Sequence, residues 1–389
     1  MANGDRYANE DLQRLAAANL LRRLDPLRSP PGVEIDVGGE RLVSFSSNDY
    51  LGLAAHPALR AALIAGADRW GAGASASRLV VGDFEAHQEL EAELAGFESA
   101  EAAVLFGSGY AANCGILPAL VSAGDAICSD ELNHASLIDG CRLSRAAVHV
   151  HPHGDLAALR ESLRAAREAG ARRLLVAVDS VFSMDGDRAD LSALATLCDE
   201  HEAMLMVDEA HATGVIGPQG AGLAAELSVA ARVDVRMGTL SKAVGSVGGF
   251  AVGSRAIRDL LVNRARPLIF STALPPAVSC ASLAGLRILR GPQGDQLRAR
   301  LWRSIARFAA GLRKLGLPAH ESSAIFPVVL GEERRAVQVA ADLRARGLLV
   351  KPIRPPTVPA GTSRLRFALT AAHTDAHVDL ALDGLARAL

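Results

Sequence analysis

The chain has 389 residues, half of them apolar and 22% charged, with a formal net charge of −2. That balance suits a folded protein with one large domain and a smaller one, and without a basic block it leaves no footprint for nucleic acid or anionic membrane. The start "MANGDRYANEDLQRL" has no apolar signal core, no run approaches the ~18 apolar residues of a membrane span, and the five cysteines form neither C-x-x-C nor an even framework, so a cytoplasmic protein with reduced thiols is expected.

Leucines at 12, 15, 20, 21 and 24 predict a helix over residues 10–24, closed by "RSPPG". Short apolar runs follow, each reading as a strand: "AAVLFGS" (102–108), "DAICSD" (125–130), "AAVHVH" (146–151), "RRLLVAVDS" (172–180), "AMLMVDEAH" (203–211), "VDVRMGT" (233–239) and "GGFAVGS" (248–254). Helical patterns such as "DLAALRESLRAAREAG" (155–170) and "DLSALATLCDEHE" (190–202) separate them. Such alternation predicts an α/β fold with a mainly parallel sheet covered on both faces. After "FSTALPPAVS" (270–279) the pattern changes to long helices with strands at "AIFPVVLG" (324–331), "GLLVKPI" (347–353) and "SRLRFALT" (363–370). The expected organisation is an N-terminal helix and arm (1–48), a large α/β domain (49–284) and a small C-terminal α+β domain (285–389).

Ligands in open α/β sheets bind beyond the C-terminal strand ends. Polar residues collect there in "LFGSGYAAN", "VDSVFSMDGD", "MVDEAHATG" and "MGTLSK". The last contains one of only three lysines; the other 38 basic residues are arginine. Arginine cannot lose its proton in a protein, so a lysine kept at a strand end among glycines suggests a need for its amine. A solvated loop lysine is the plain alternative for Lys242. Lys314 suits a helix C-terminus, and Lys351 lies in an expected strand.

Asp208 follows "LMV" at a strand end, where a charge needs a cation or a hydrogen-bond partner. It could face a pyridinium nitrogen or merely cap a turn, and His211 could bond a ring oxygen or be structural. D-E-x-H could also supply metal ligands, but without a second ligand cluster no metal is expected. "GSGYAAN" opens a helix whose N-terminal amides could hold a phosphate, though a lone G-S-G is usually a turn. His134 in "NHASLIDG" could cap a helix or lie on a flat ligand. "HPH" (151–153) reads as a surface turn without a role.

Together these pieces resemble the α-oxoamine synthases of the fold-type I pyridoxal-phosphate enzymes. Further stretches carry the likeness: "FSSNDYLGL" (45–53), "GAGASASRLVVGDFEAHQELE" (71–91), "VFSMDGD" (181–187), "VDEAHATGVIG" (207–217), "FSTALPP" (270–276) and "RPPTVPAGTSRLR" (354–366). The resemblance implies a seven-stranded sheet between helices and a homodimer with shared sites. It implies pyridoxal 5'-phosphate on Lys242 as a Schiff base, Asp208 at the pyridinium nitrogen, His211 at the ring oxygen and His134 on the ring face. Gly109 and Tyr110 would begin the phosphate-side helix, Ser183 and Thr239 would hold the cofactor, and Thr272 would reach the neighbouring subunit's phosphate. Arg354 would bind the amino-acid carboxylate, Arg22 and Thr357 would contact substrate, and Asn48 would line the pocket. "RPPTVP" is similar to the family member that joins L-alanine to a pimeloyl thioester, carried by coenzyme A or acyl carrier protein, with loss of CO2.

The chain departs from the family's usual pattern with Ala and Ser in "GAGASASR", with Glu209 in "DEAH" and with Ser241 before the lysine; none of these touches the amine. The competing readings are a sister enzyme using glycine or serine, a nicotinamide oxidoreductase (which lacks G-x-G-x-x-G) and a non-catalytic binding protein.

Overall fold

The structure, a computed structural model, describes residues 3–389. The chain divides into two compact units. The smaller runs to Asn48 and takes up Met184–Gly186 and Arg300–Leu389; the larger comprises Asp49–Ser183 and Asp187–Ala299.

The smaller unit begins with a helix, Asn3–Ala17. The periodicity predicts a helix from 10 to 24, but the helix starts earlier and stops at Ala17. Asn19 adopts φ 56°. Its N–H bonds Ala16 O at 3.1 Å, and Leu20 N–H bonds Leu15 O at 2.8 Å. This is the left-handed cap that satisfies the last carbonyls of a helix and turns the chain away, so Leu20, Leu21 and Leu24 leave the helical line. Strands β1 (Glu34–Val37) and β2 (Glu40–Ser44) then form an antiparallel hairpin. Gly38 and Gly39 make its turn at φ 64° and 96°, the two positive φ values that a tight hairpin requires. The sequence pattern predicts only a helix and arm here; the Gly-Gly pair between "EIDV" and "ERLVS" is the signal for the hairpin.

The larger unit holds β3 (Ala102–Phe106), β4 (Ala126–Asp130), β5 (Ala147–His151), β6 (Leu174–Asp179), β7 (Met204–Asp208), β8 (Val235–Thr239) and β9 (Gly249–Gly253). They form one seven-stranded sheet in the order β3-β9-β8-β7-β6-β4-β5. Each falls within a run predicted from the sequence. Only β9 is antiparallel to its neighbours, because the link from Thr239 to Gly249 is too short for the crossover that a parallel return needs. β3, β4, β6 and β8 are buried along their whole length, as expected where helices cover both faces, whereas edge strand β5 is largely exposed. On one face Ile116, Leu117 and Leu120 of helix Gly109–Leu120 pack with Phe106, Leu175, Met206 and Met237 of the sheet. Each such buried side chain is worth ~1.5–3 kcal/mol against exposure. That packing fixes the start of the helix beside the strand ends.

The C-terminal part of the smaller unit adds β10 (Ile325–Gly331), β11 (Leu348–Leu349), β12 (Pro352–Ile353) and β13 (Ser363–Ala368). "GLLVKPI" is not one strand. β11 pairs in parallel with β2, β12 pairs antiparallel with β13, and Lys351 lies between them with its ammonium 2.5 Å from Asp25. Phe308 stands 5.1 Å from Phe326 and 5.3 Å from Phe367, ring to ring, in this unit's core.

Candidate active site

The C-terminal ends of β3, β4, β6, β7 and β8 lie along one edge of the sheet. A cavity of about 260 Å³ opens there, lined by Gly109, Tyr110, His134, Asp208, His211, Thr239 and Lys242 among the residues singled out from the sequence. Ser108, Ser136, Asp179 and Ser241 line it as well.

Lys242 follows β8, and its Nζ stands 2.9 Å from His211 Nε2. The opposite ring nitrogen, Nδ1, lies 2.6 Å from the Tyr50 hydroxyl. Tyr50 is buried, on the turn after Asp49, whose carboxylate accepts the N–H groups of Leu53 and Ala54 at 2.8 and 3.1 Å. The turn sits directly on the lysine loop. A Cβ at Gly245 would come within 2.6 Å of Leu53 C, and Gly245 itself has φ +78°. The small residues around Lys242 therefore permit close backbone approach.

Asp208 ends β7. Its Oδ1 accepts Ala210 N–H at 2.8 Å and its Oδ2 accepts Asn113 Nδ2–H at 2.7 Å. It is a turn cap and a pocket residue at once. Asn113 also donates to Ser136 Oγ at 2.9 Å and comes from the same helix that Gly109 begins. Asp179 pairs with Asp208 across the sheet and accepts His134 N–H at 2.6 Å. Burial first, and the charge of Asp208 second, push the Asp179 carboxyl well above the usual range. Two adjacent carboxylates in a low-dielectric site do not both ionise readily.

His134 caps the next helix, Ala135–Ser144, through Nδ1, which accepts Ser136 N–H at 3.2 Å. The ring also lines the cavity, so the capping and ligand readings coexist. Burial pushes its pKa below the ordinary value; Asp208 opposes this and Lys242 adds to it. A ring kept neutral suits contact with a flat conjugated ligand.

Ser108 Oγ accepts Ala111 N–H at 3.1 Å and caps helix Gly109–Leu120. A Cβ at Gly109 would lie 3.5 Å from Thr239 Cβ, within the cradle between the helix start and β8. Thr239 Oγ1 donates to Gly248 O at 2.9 Å and stands 2.7 Å from Ser241 Oγ. An amine, a buried carboxylate, a neutral imidazole and a helix N-terminus with hydroxyls beside it are the donor set that pyridoxal phosphate uses. Among the described residues no group of three or more His, Cys, Asp or Glu could hold a metal ion.

Ser183 is buried after β6 and Thr272 is exposed; neither lines the cavity. Asn48, Arg22, Arg354 and Thr357 belong to the smaller unit. There Asn48 Oδ1 accepts from Arg366 at 3.1 Å, and Arg22 donates to Pro355 O at 2.9 Å. Arg354 donates to Asn19 O, and Thr357 N–H bonds Arg354 O at 3.1 Å. Burial, then the neighbouring Arg22 charge, hold the Arg354 guanidinium below its ordinary value.

Tyr50, Asn113, Ser136 and Asp179 also belong to the site, although their residue types did not single them out within the stretches cited above. Ser136 lies two residues from His134, whereas Tyr50, Asn113 and Asp179 join the site through pairing between distant segments. "HPH" is also more than a surface turn. His153 lies 3.0 Å from Asp130 and 2.8 Å from Asp187, edge-on to Phe182.

Residues 40–385 match the model of the family described as aminotransferase class I and II. The chain belongs to this family. It is 54% identical over 98% of its length to 8-amino-7-oxononanoate synthase from Anaeromyxobacter dehalogenans, covering 95% of that protein. It is 47% identical to the enzyme of that name from Geobacter sulfurreducens, covering 97% of this chain and 96% of the relative. Among solved structures, S. paucimobilis serine palmitoyltransferase with a bound pyridoxal phosphate–myriocin adduct superposes with TM-score 0.92 at 30% identity, covering 100% of this chain and 98% of that one. The 8-amino-7-oxononanoate synthase of Francisella tularensis gives TM-score 0.75 at 29% identity over 89% of this chain and 97% of that one. The expected fold class, a fold-type I α/β enzyme with a seven-stranded sheet, is the one observed.

Proposed function

We propose that this chain is a pyridoxal 5'-phosphate-dependent acyltransferase that condenses L-alanine with a pimeloyl thioester, releasing CO2 and a free thiol to give 8-amino-7-oxononanoate in biotin biosynthesis. The observation that carries the reading is one cavity holding the Lys242 amine, in a chain more than half identical to enzymes of that name along nearly its whole length. The reading includes a cytoplasmic homodimer with shared sites, in which Thr272 reaches the partner's cofactor phosphate. Either coenzyme A or acyl carrier protein could present the acyl group.

Once bound, the cofactor supplies an electron sink for the pair left when a bond to the amino acid's α-carbon breaks. Lys242 would anchor it through Nζ, and its amine, when free, would serve as general base for the substrate's α-proton and later return a proton. Asp208 would face the ring nitrogen, held in orientation by Asn113 and the Ala210 N–H. His211 would bond the ring oxygen through Nε2, and neutral His134 would cover the ring face. The amides opening helix Gly109–Leu120, with Tyr110, would hold the phosphate, joined by the Thr239 hydroxyl on turning from Gly248 O, and Ser183, outside the cavity wall, would support the cofactor indirectly. Arg354 binds the amino-acid carboxylate, and Arg22, Asn48 and Thr357 complete the substrate contacts.

A sister enzyme using serine or glycine is the second reading, favoured by the likeness to serine palmitoyltransferase. Purified protein is given pimeloyl-coenzyme A with L-alanine, L-serine or glycine, and products are read by mass spectrometry. 8-Amino-7-oxononanoate from alanine is expected. Condensation only with serine or glycine would overturn the substrate assignment.

A further inference from the structure

The arrangement Tyr50–His211–Lys242 makes a demand that a hydroxyl meets without moving. The distances are 2.6 Å from Tyr50 Oη to His211 Nδ1 and 2.9 Å from His211 Nε2 to Lys242 Nζ. A lysine ammonium has three donors and no acceptor. Facing it, Nε2 must accept, so the ring proton lies on Nδ1 and is donated to Tyr50 Oη. Once the amine is committed to the cofactor and Nε2 faces an oxygen acceptor, Nε2 must carry the proton. Nδ1 then becomes an acceptor and needs a donor opposite it. A phenol can do both, because its O–H accepts and donates. A carboxylate could only accept, and an ammonium only donate.

We propose that Tyr50 is a positioning residue that lets His211 exchange tautomers between the cofactor-free and cofactor-loaded protein. This rests on the cofactor reading above for the loaded state only. The burial of Tyr50 fits the role, since water cannot readily replace a phenol that is 1% exposed. The turn bearing Tyr50 is pressed on the lysine loop at Gly245, so the hydroxyl, the imidazole and the amine are held as one assembly. The other ionisable groups of the cavity are Asp208, Asp179, His134 and Tyr110. Asp49, beside Tyr50, is engaged by the turn amides of Leu53 and Ala54.

The test is nitrogen-15 NMR of ring-labelled histidine, with His211 assigned by difference from His211→Gln. In cofactor-free protein near neutral pH the Nδ1–H form is expected, and in loaded protein the Nε2–H form. The same tautomer in both states overturns the proposal without touching the cofactor reading, because the first spectrum needs no cofactor. Tyr50→Phe keeps the ring packing and removes the hydroxyl. It is expected to weaken cofactor binding about tenfold, the size of one lost buried hydrogen bond, and to move the pH at which the cofactor's visible band titrates. A merely structural tyrosine would lower the melting temperature of Tyr50→Phe and leave cofactor affinity and band titration at wild-type values. That result would also overturn the proposal. If Tyr50→Phe does not fold, the two wild-type spectra still decide.

Discussion

The strand-end cavity and the arginine pair of the smaller unit are built by different means. In the cavity, Asp208, His211, His134 and Lys242 stand at or just beyond strand ends, and each is tied to a second side chain or to a strand-end amide. Their positions are set before any ligand arrives. Arg22 lies outside regular secondary structure and Arg354 opens the turn after β12, and both bond neutral backbone carbonyls. Two cations next to each other, paired with neutral acceptors, keep capacity for an anion. On the proposed reading, reaction chemistry would be attached to the sheet and substrate choice to loops, where it could change without disturbing the fold.

The contrast ranks the expected effects. Lys242→Ala should abolish turnover and the visible band of lysine-bound cofactor while leaving thermal stability near wild type; calorimetry and an absorption spectrum check both. Asp208→Asn should cost about 10²–10³ in kcat, the scale of losing one preorganised electrostatic group, measured by steady-state kinetics. Arg354→Ala should act mainly on the KM for the amino acid, raising it about tenfold to a hundredfold, the scale of a charge-assisted hydrogen bond. An equal fall in kcat with KM unchanged would break the division between anchored chemistry and adaptable binding. Gly245→Ala places a Cβ where Leu53 C would lie 2.6 Å away, at φ +78°. A loss of about 1–3 kcal/mol in stability is expected from thermal unfolding.

The smallest effect concerns His153. Burial lowers its pKa, but bonds to Asp130 and Asp187 outweigh that and raise it above the ordinary 6.5. A raised folded pKa stabilises most at low pH. The contribution is complete below about pH 6.5 and is lost as pH rises through the folded value. His153→Gln should therefore be less stable than wild type near pH 6, with the gap narrowing toward pH 8 in unfolding titrations.

All seven strands of the large sheet were legible: six because burial forces continuous apolar runs of strand length, and the largely exposed β5 because its valines still mark a short run. So were Lys242, Asp208 and His211, whose residue types stand out at strand ends. The stop at Ala17 was not legible, since leucine spacing continues past it while the Asn19 cap acts on the backbone. Nor was the split of "GLLVKPI", where apolar content is uniform and pairing partners decide. Tyr50 and Asp179 escaped because their roles arise from contacts between segments far apart in the chain. His153 escaped because nothing in "HPH" shows the two carboxylates that meet it.

The most direct test is to reduce the cofactor-loaded protein with borohydride, digest it and map the modified peptide. The account predicts a pyridoxyl group on Lys242 alone. Modification of Lys314 or Lys351 instead, or of no lysine, would contradict it.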